Sequence, residues 1–146
     1  MHTNALAGTI VEHLRTADKA VEAVLPTLTR KLVKTRASQI NGCSFCLHMH
    51  TKEAIRAGET PQRLNLVAAW KQAKGFTAAE RAALELAEQA PASRPVTVSP
   101  TTPGPGVLEH HDEDQLVALV AEIALINAWN RVCVITQQPG GDYQLP

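Results

Sequence analysis

The stretch Leu116-Val117-Ala118-Leu119-Val120-Ala121-Glu122-Ile123-Ala124-Leu125-Ile126 limits the fold more than any other part of this chain. Wound as a helix, it is apolar nearly all the way round, and Glu122 is its one charge. A helix without a polar face has to be covered on every side, so this one is expected at the centre of a bundle or in a subunit interface. Asp112, with Gln115 three residues later, reads as its N-cap, and the helix is predicted over 113–137. The apolar run falls short of the roughly 20 residues that span a bilayer.

The rest of the chain is punctuated for shorter helices. Leu6, Ile10, Val11, Leu14, Val21 and Leu25 recur at helical spacing over 5–24, and Pro26 ends that run. A second helix over 27–40 places Leu28, Leu32, Val33 and Ala37 on one face and stops at Asn41-Gly42. A third is predicted from about Cys43 to just before Gly58. Thr60-Pro61 reads as an N-cap followed by an N1 proline, opening a fourth helix that runs to Lys74. Thr77 and Glu80 form a capping-box pattern for a fifth helix over 78–90, ended by Pro91. Residues 91–106 hold five of the nine prolines and two of the eight glycines. A loop is therefore expected from 91 to as far as 111, either a lid, a subunit arm or plain surface, and 139–146 reads as a loose tail. No alternating strand pattern occurs, and twenty-two alanines against five aromatics favour helix over sheet. The fold class is all-α, a bundle of about six helices in a single domain over 1–146.

Composition removes several functions. Fourteen basic and fourteen acidic side chains leave no net charge. That argues against nucleic acid or an anionic membrane as the main partner and fits small neutral substrates. No signal peptide pattern stands at the N-terminus, so the expected compartment is the cytoplasm, where thiols stay reduced. Three cysteines is an odd count for a disulfide framework. No glycine-rich phosphate motif is present, and no metal, flavin or nucleotide cofactor is implied.

The chemistry concentrates in Cys43-Ser44-Phe45-Cys46-Leu47-His48-Met49-His50. At about 100° per residue, Cys46 lies roughly 60° from Cys43 around a helix, with His50 between them in projection. His48 points roughly 140–160° away. Cys43 in a first turn has its thiolate favoured by the helix N-terminus. His50, one turn beyond Cys46, is placed to take the Cys46 proton, and Cys43 is placed to close a disulfide. Two other readings stay open: both cysteines as core residues, or a zinc site drawn from Cys43, Cys46, His48 and His50. Cys133, in the last helix, reads as a buried and inert residue, Trp70 and Trp129 as core anchors, and His110-His111 as a solvated helix entry.

The string Arg36-Ala37-Ser38-Gln39-Ile40-Asn41-Gly42-Cys43-x-x-Cys46-x-x-x-His50-Thr51 resembles the active-site signature of the carboxymuconolactone decarboxylase-like, AhpD-like alkyl hydroperoxidase family. Ala68-Ala69-Trp70, Glu80-Arg81-Ala82-Ala83-Leu84 and Ile126-Asn127-Ala128-Trp129-Asn130-Arg131 are similar to it as well, and the resemblance covers roughly 20–137. It implies an all-helical homo-oligomer, trimer or hexamer, that reduces small hydroperoxides through a disulfide cycle and is reset by an external dithiol reductant. By this resemblance Cys46 is the peroxidatic cysteine, Cys43 its partner and His50 the relay histidine. Two positions depart from the pattern. Lys31 stands where peroxidase members usually carry a glutamate, and Phe45 where some carry a histidine. Lys31 would instead lower a nearby thiol pKa by charge. Glu122 is a candidate for the missing acid if it approaches Lys31 or His50; otherwise it faces solvent or a subunit. A lactone decarboxylase, which needs no cysteine pair, and a non-catalytic redox sensor are the alternative functions.

Overall fold

The computed structural model describes residues 5–89 and 105–146. Among them are seven α-helices and no strand: α1 (Ala5–Glu22), α2 (Thr27–Asn41), α3 (Ser44–Arg56), α4 (Pro61–Leu66), α5 (Ala78–Gln89), α6 (Pro105–His110) and α7 (Glu113–Ile135). The all-α expectation holds, and so do most helix starts. Asp112 and Gln115 cap α7 reciprocally, and the Thr60 side chain accepts from the Arg63 amide to open α4. Thr77 and Glu80 exchange hydrogen bonds of 2.8 and 3.2 Å at the start of α5.

The middle of the bundle is α2, which packs against α3, α5 and α7. Of the expected face, Leu32, Val33 and Ala37 are buried and Leu28 is half-buried, but Arg30, Lys34, Thr35 and Ser38 are buried too. On one side Val33 joins Val21, Leu25, Ala82, Ala83, Leu119 and Ile123 in a core shared with α1, α5 and α7. On the other, Leu32 joins Ala54, Leu64, Val67, Trp70, Phe76 and Leu84. The small residues of α5 let it lie close to α2, and Leu119, Ile123 and Ile126 supply bulk from α7.

The long apolar helix is only partly covered. Leu119, Glu122, Ile123 and Ile126 are buried, whereas Val117, Val120 and Ile135 lie 65%, 52% and 79% exposed. Its apolar character also extends beyond 116–126. By length and composition α7 is the one helix among the described residues that is long and apolar enough to cross a bilayer. Here it packs on α2, α1 and α3.

Three expectations about connections need correction. The fourth helix does not reach Lys74. It tightens to a 3-10 turn at Val67–Ala69 and ends in a non-helical turn, whose Trp70, Lys71 and Ala73 carbonyls the Arg81 side chain keeps paired in place of helical amides. The loop expected to reach 111 gives way at Pro105 to α6, which a proline at the first helical position favours. Residues 91–104, with the lid and arm readings, lie outside the described residues. The 139–146 tail has no helix but is not loose. Gly140 N–H donates to Ser44 Oγ (3.1 Å), Gly141 N–H to His48 Nδ1 (2.9 Å) and Lys52 Nζ to the Tyr143 carbonyl (2.6 Å). A Cβ on Gly140 would lie 2.5 Å from the Ser44 carbonyl oxygen, so only glycine allows this approach.

Candidate active site

The site begins with one backbone corner. Gly42 adopts the left-handed conformation (φ +67°), closing α2 with bonds from Gly42 N–H to Gln39 O and Cys43 N–H to Ser38 O. The chain then turns at once into α3. Cys43 is therefore the N-cap of α3, one residue before the first turn where it was expected, and its Sγ accepts the Cys46 N–H at 3.3 Å. The side chain of Asn41 fixes the same corner to α7, donating to Asn127 Oδ1 (2.7 Å) and Asn130 Oδ1 (2.8 Å), while Asn130 donates to Ser38 Oγ (3.1 Å).

Cys43 and Cys46 form a disulfide with Cα atoms 5.4 Å apart, and both are buried. His50 is buried on the same face of α3, one turn beyond Cys46. Its Nδ1 lies 3.1 Å from Glu53 Oε2, and its Nε2 has no hydrogen-bond partner. Burial holds the imidazole below its ordinary range, outweighing the hydrogen bond to Glu53 that favours the cation. Burial would raise the Glu53 carboxyl, but hydrogen bonds from His50 and Lys31, with the charge of Lys31, bring it down to about 2. An ionised Glu53 can only accept, so Nδ1 carries the proton and Nε2 keeps a free lone pair. Burial, then the nearby Glu53 charge, push the Tyr143 hydroxyl up, and that hydroxyl donates to Glu53 Oε1 at 3.3 Å.

The carboxylate that approaches Lys31 and His50 is Glu53, not Glu122. Lys31 Nζ lies 2.7 Å from Glu53 Oε2, so Lys31 braces the carboxylate that braces His50. Glu122 meets neither Lys31 nor His50 and does not face solvent either. It is fully buried, with Oε2 3.3 Å from Arg30 Nε and Oε1 3.1 Å from Lys34 Nζ. Phe45 leaves the thiol face and packs edge-on against Tyr143, ring centroids 6.1 Å apart. His48 also points away, accepting from the tail, so the four zinc ligands weighed from the sequence do not converge.

Cys133 corrects a further expectation. It is half-buried rather than buried, and its Sγ lies in a group with those of Cys43 and Cys46, all within 4.8 Å of one another. The three cysteines are two on α3's N-terminus and one on α7. Beside them is a cavity of about 220 Å³, lined by Cys43 and Cys133 among others. Trp70 is buried as expected, while half-buried Trp129 donates to Asp18 Oδ2 at 3.1 Å. His111 is buried rather than solvated, with Nδ1 3.3 Å from the Val107 carbonyl. Glu53 was legible from the sequence, being three residues beyond His50 on the same helix. Tyr143 and Cys133 were not, because only tertiary packing brings them in.

These features define a class: an all-helical protein with a Cys-x-x-Cys pair at a helix start and an in-register, carboxylate-held histidine. The chain belongs to the carboxymuconolactone decarboxylase family, whose sequence pattern matches residues 5–89. It is 43% identical to the uncharacterized protein YdfG of Bacillus subtilis (strain 168) over 111 residues, 73% of this chain and 71% of that protein. It is 32% identical to the uncharacterized protein YnjA of Escherichia coli (strain K12) over 107 residues, 70% of this chain and 56% of that one. Among solved structures it is similar to ATU0492 of Agrobacterium tumefaciens, a protein of unknown function and candidate antioxidant defence protein AhpD. That match has a TM-score of 0.82 and 26% identity and covers 92% of each chain. The debrominase Bmp8 shares the fold at a TM-score of 0.76 and 18% identity, over 89% of this chain and 70% of that one. Family and cysteine pair together support a redox role.

Proposed function

We propose that this protein is a thiol-dependent peroxidase of the AhpD-like type, reducing small hydroperoxides through a dithiol–disulfide cycle at Cys43 and Cys46. The observation that carries the reading is the Glu53–His50 pair: a neutral, buried imidazole with Nδ1–H on a carboxylate and Nε2 unpartnered, one turn from Cys46. This is the arrangement a general base for a thiol requires.

In the reduced state His50 Nε2 takes the Cys46 proton. The thiolate attacks the distal peroxide oxygen; the S–O bond forms as the O–O bond breaks. His50 returns the proton to the departing alkoxide, releasing an alcohol. Cys43 then attacks the Cys46 sulfenic acid, the S–S bond forms and water leaves. An external dithiol reverses the disulfide by exchange. Lys31 and Tyr143 act on Glu53 and so hold the imidazole in one tautomer. Phe45 packs the tail against α3. A homo-oligomer, trimer or hexamer, belongs to the same reading, and the exposed valines of α7 support it.

The test uses metal-free, reduced protein and one equivalent of an organic hydroperoxide. Thiol loss is followed in time, and the bridge is located by peptide mass spectrometry. A Cys43–Cys46 disulfide formed within the turnover time is the expected result. Cys46→Ser should abolish peroxide consumption, and Cys43→Ser should leave a sulfenic acid that a dione probe captures. Equal slow thiol loss in both variants would instead identify a passive sensor.

A further inference from the structure

The reaction above uses two cysteines, but three sulfurs meet. The Sγ atoms of Cys43, Cys46 and Cys133 lie within 4.8 Å of one another, although Cys133 is far away in sequence and outside the span of the family pattern. We propose that, when Cys43 and Cys46 are reduced, the three thiolates form a binding site for a thiophilic divalent cation, with Zn²⁺ as the reference ion.

The distances suit such an ion. A tetrahedral zinc thiolate site with Zn–S of 2.3 Å needs sulfurs about 3.8 Å apart. On reduction the bonded Cys43 and Cys46 sulfurs must move apart to that spacing, while those facing Cys133 close by about an ångström at most, adjustments that side-chain rotation supplies. The donor chemistry suits it too, because three sulfur ligands select soft and borderline cations over magnesium or calcium. Two of the ligands are already arranged as metal-binding cysteine turns are. Cys43 caps the helix, and its sulfur accepts the amide of Cys46, a bond that favours the thiolate that a cation needs.

The third ligand is fixed rather than incidental. Asn130, one turn before Cys133 on α7, is tied to Asn41 and Ser38, which flank the Gly42 corner. The same contacts that set Cys43 therefore set Cys133. Beyond α7 the chain folds back, Gln138 N–H bonding to the Cys133 carbonyl at 2.8 Å, and Gln137, Gln138 and Pro139 line the cavity beside the sulfurs. That cavity, about 220 Å³, leaves a fourth position open to water or a small ligand. The ligand set differs from the one expected from sequence. Cys133 stands in for the two histidines, of which His48 is taken by the tail and His50 by Glu53.

Binding and disulfide formation use the same two sulfurs, so they exclude each other. The cation would shield the pair from oxidation, and oxidation would expel the cation. The site requires only reduced cysteines and does not rest on the peroxidase reading.

The experiment titrates the reduced full chain, without peroxide, with Zn²⁺ against a chromophoric chelator, and with Co²⁺ as a spectroscopic probe. Expected are one ion per chain, thiolate-to-cobalt charge-transfer bands and tetrahedral ligand-field bands. In Cys133→Ser the affinity should fall by on the order of 100-fold. That variant should still form the Cys43–Cys46 disulfide with diamide, which shows that it is folded. The oxidised wild-type chain, with two of the three ligands tied up in the disulfide, should show no cobalt–thiolate bands and no measurable binding at the concentrations that saturate the reduced chain. Undiminished binding by Cys133→Ser or by the oxidised chain, or no cobalt–thiolate bands in the reduced wild type, would overturn the proposal. Protein that consumes peroxide but binds no Zn²⁺ would sink only this inference, and the reverse outcome would sink only the peroxidase.

Discussion

Two faces of α2 carry ionic clusters, and they are built on opposite principles. On one, Arg30 and Lys34 surround Glu122 of α7 and Asp18 of α1, with Lys34 Nζ 2.8 Å from Asp18 Oδ1 and 3.1 Å from Glu122 Oε1. On the other, Lys31 meets Glu53 of α3 at 2.7 Å, and Glu53 meets His50 at 3.1 Å. In the first cluster each carboxylate is matched by cations from more than one direction. In the second, the pairing stops one atom short: His50 Nε2 is buried with no partner. A cluster in which every charge is paired holds helices together. A cluster that leaves one buried lone pair open, one turn beyond Cys46 on α3, is the one that would move the proton in the proposed peroxidase cycle. Adjacent residues of one helix, Arg30 and Lys31, thus serve different ends because about 100° of rotation separates them.

The sharpest test of that contrast removes the open group. His50→Gln should lower the rate of peroxide consumption by roughly 10²–10⁴-fold while leaving thermal stability near that of the wild type. If instead it unfolds the protein with little effect on the rate per folded molecule, the two clusters are of one kind. Glu122→Leu should do the reverse. It removes the buried partner shared by Arg30 and Lys34, leaving them only Asp18 and Glu22 at the edge of the bundle, and is expected to cost about 3 kcal/mol by denaturant unfolding, with the thiol reaction unchanged in the folded fraction. Glu53→Gln lies between them, because Gln can still hydrogen-bond but no longer fixes the imidazole tautomer by charge. A rate loss on the order of 100-fold is expected, with the pH profile shifted as well as lowered.

The acid limb of stability sharpens the same comparison. His50 is held below its ordinary 6.5, so as pH falls through that value the unfolded chain takes up a proton that the folded chain refuses, and stability drops. Glu53 titrates near 2 instead of 4.5, so its contribution is complete above 4.5 and is lost between the two values. Melting temperature against pH should therefore fall in two stages, and Glu53→Gln should flatten the second. The smallest effect is expected at the tail. Gly140→Ala should cost about 1 kcal/mol and raise proteolysis after residue 138, since a Cβ there meets the Ser44 carbonyl.

What the sequence revealed followed the reach of each interaction. Helix starts were readable because capping is local: Asp112 with Gln115, Thr77 with Glu80, Thr60 with Pro61. The shared face of Cys43, Cys46 and His50 was readable from helical rotation alone. Glu53 follows the same rule, but the expected relay drew attention to Lys31 and to Glu122, the lone charge in an apolar run. Burial of Glu122 on two cations could not be read, because Arg30 and Lys34 look like a solvated face until α1 and α7 cover them. The turn that ends α4 is paired by Arg81 reaching back to Trp70, and the docked tail by Tyr143 reaching Glu53 across 90 residues. Such contacts leave no periodic trace.

The corner at Gly42 has one more implication. Bonds from Gly42 to Gln39, from Cys43 to Ser38, and from Cys46 to the Cys43 sulfur hold the two cysteines in place by means other than the bond between them. None of these bonds depends on the disulfide, so the corner is expected to keep its backbone when the disulfide is reduced.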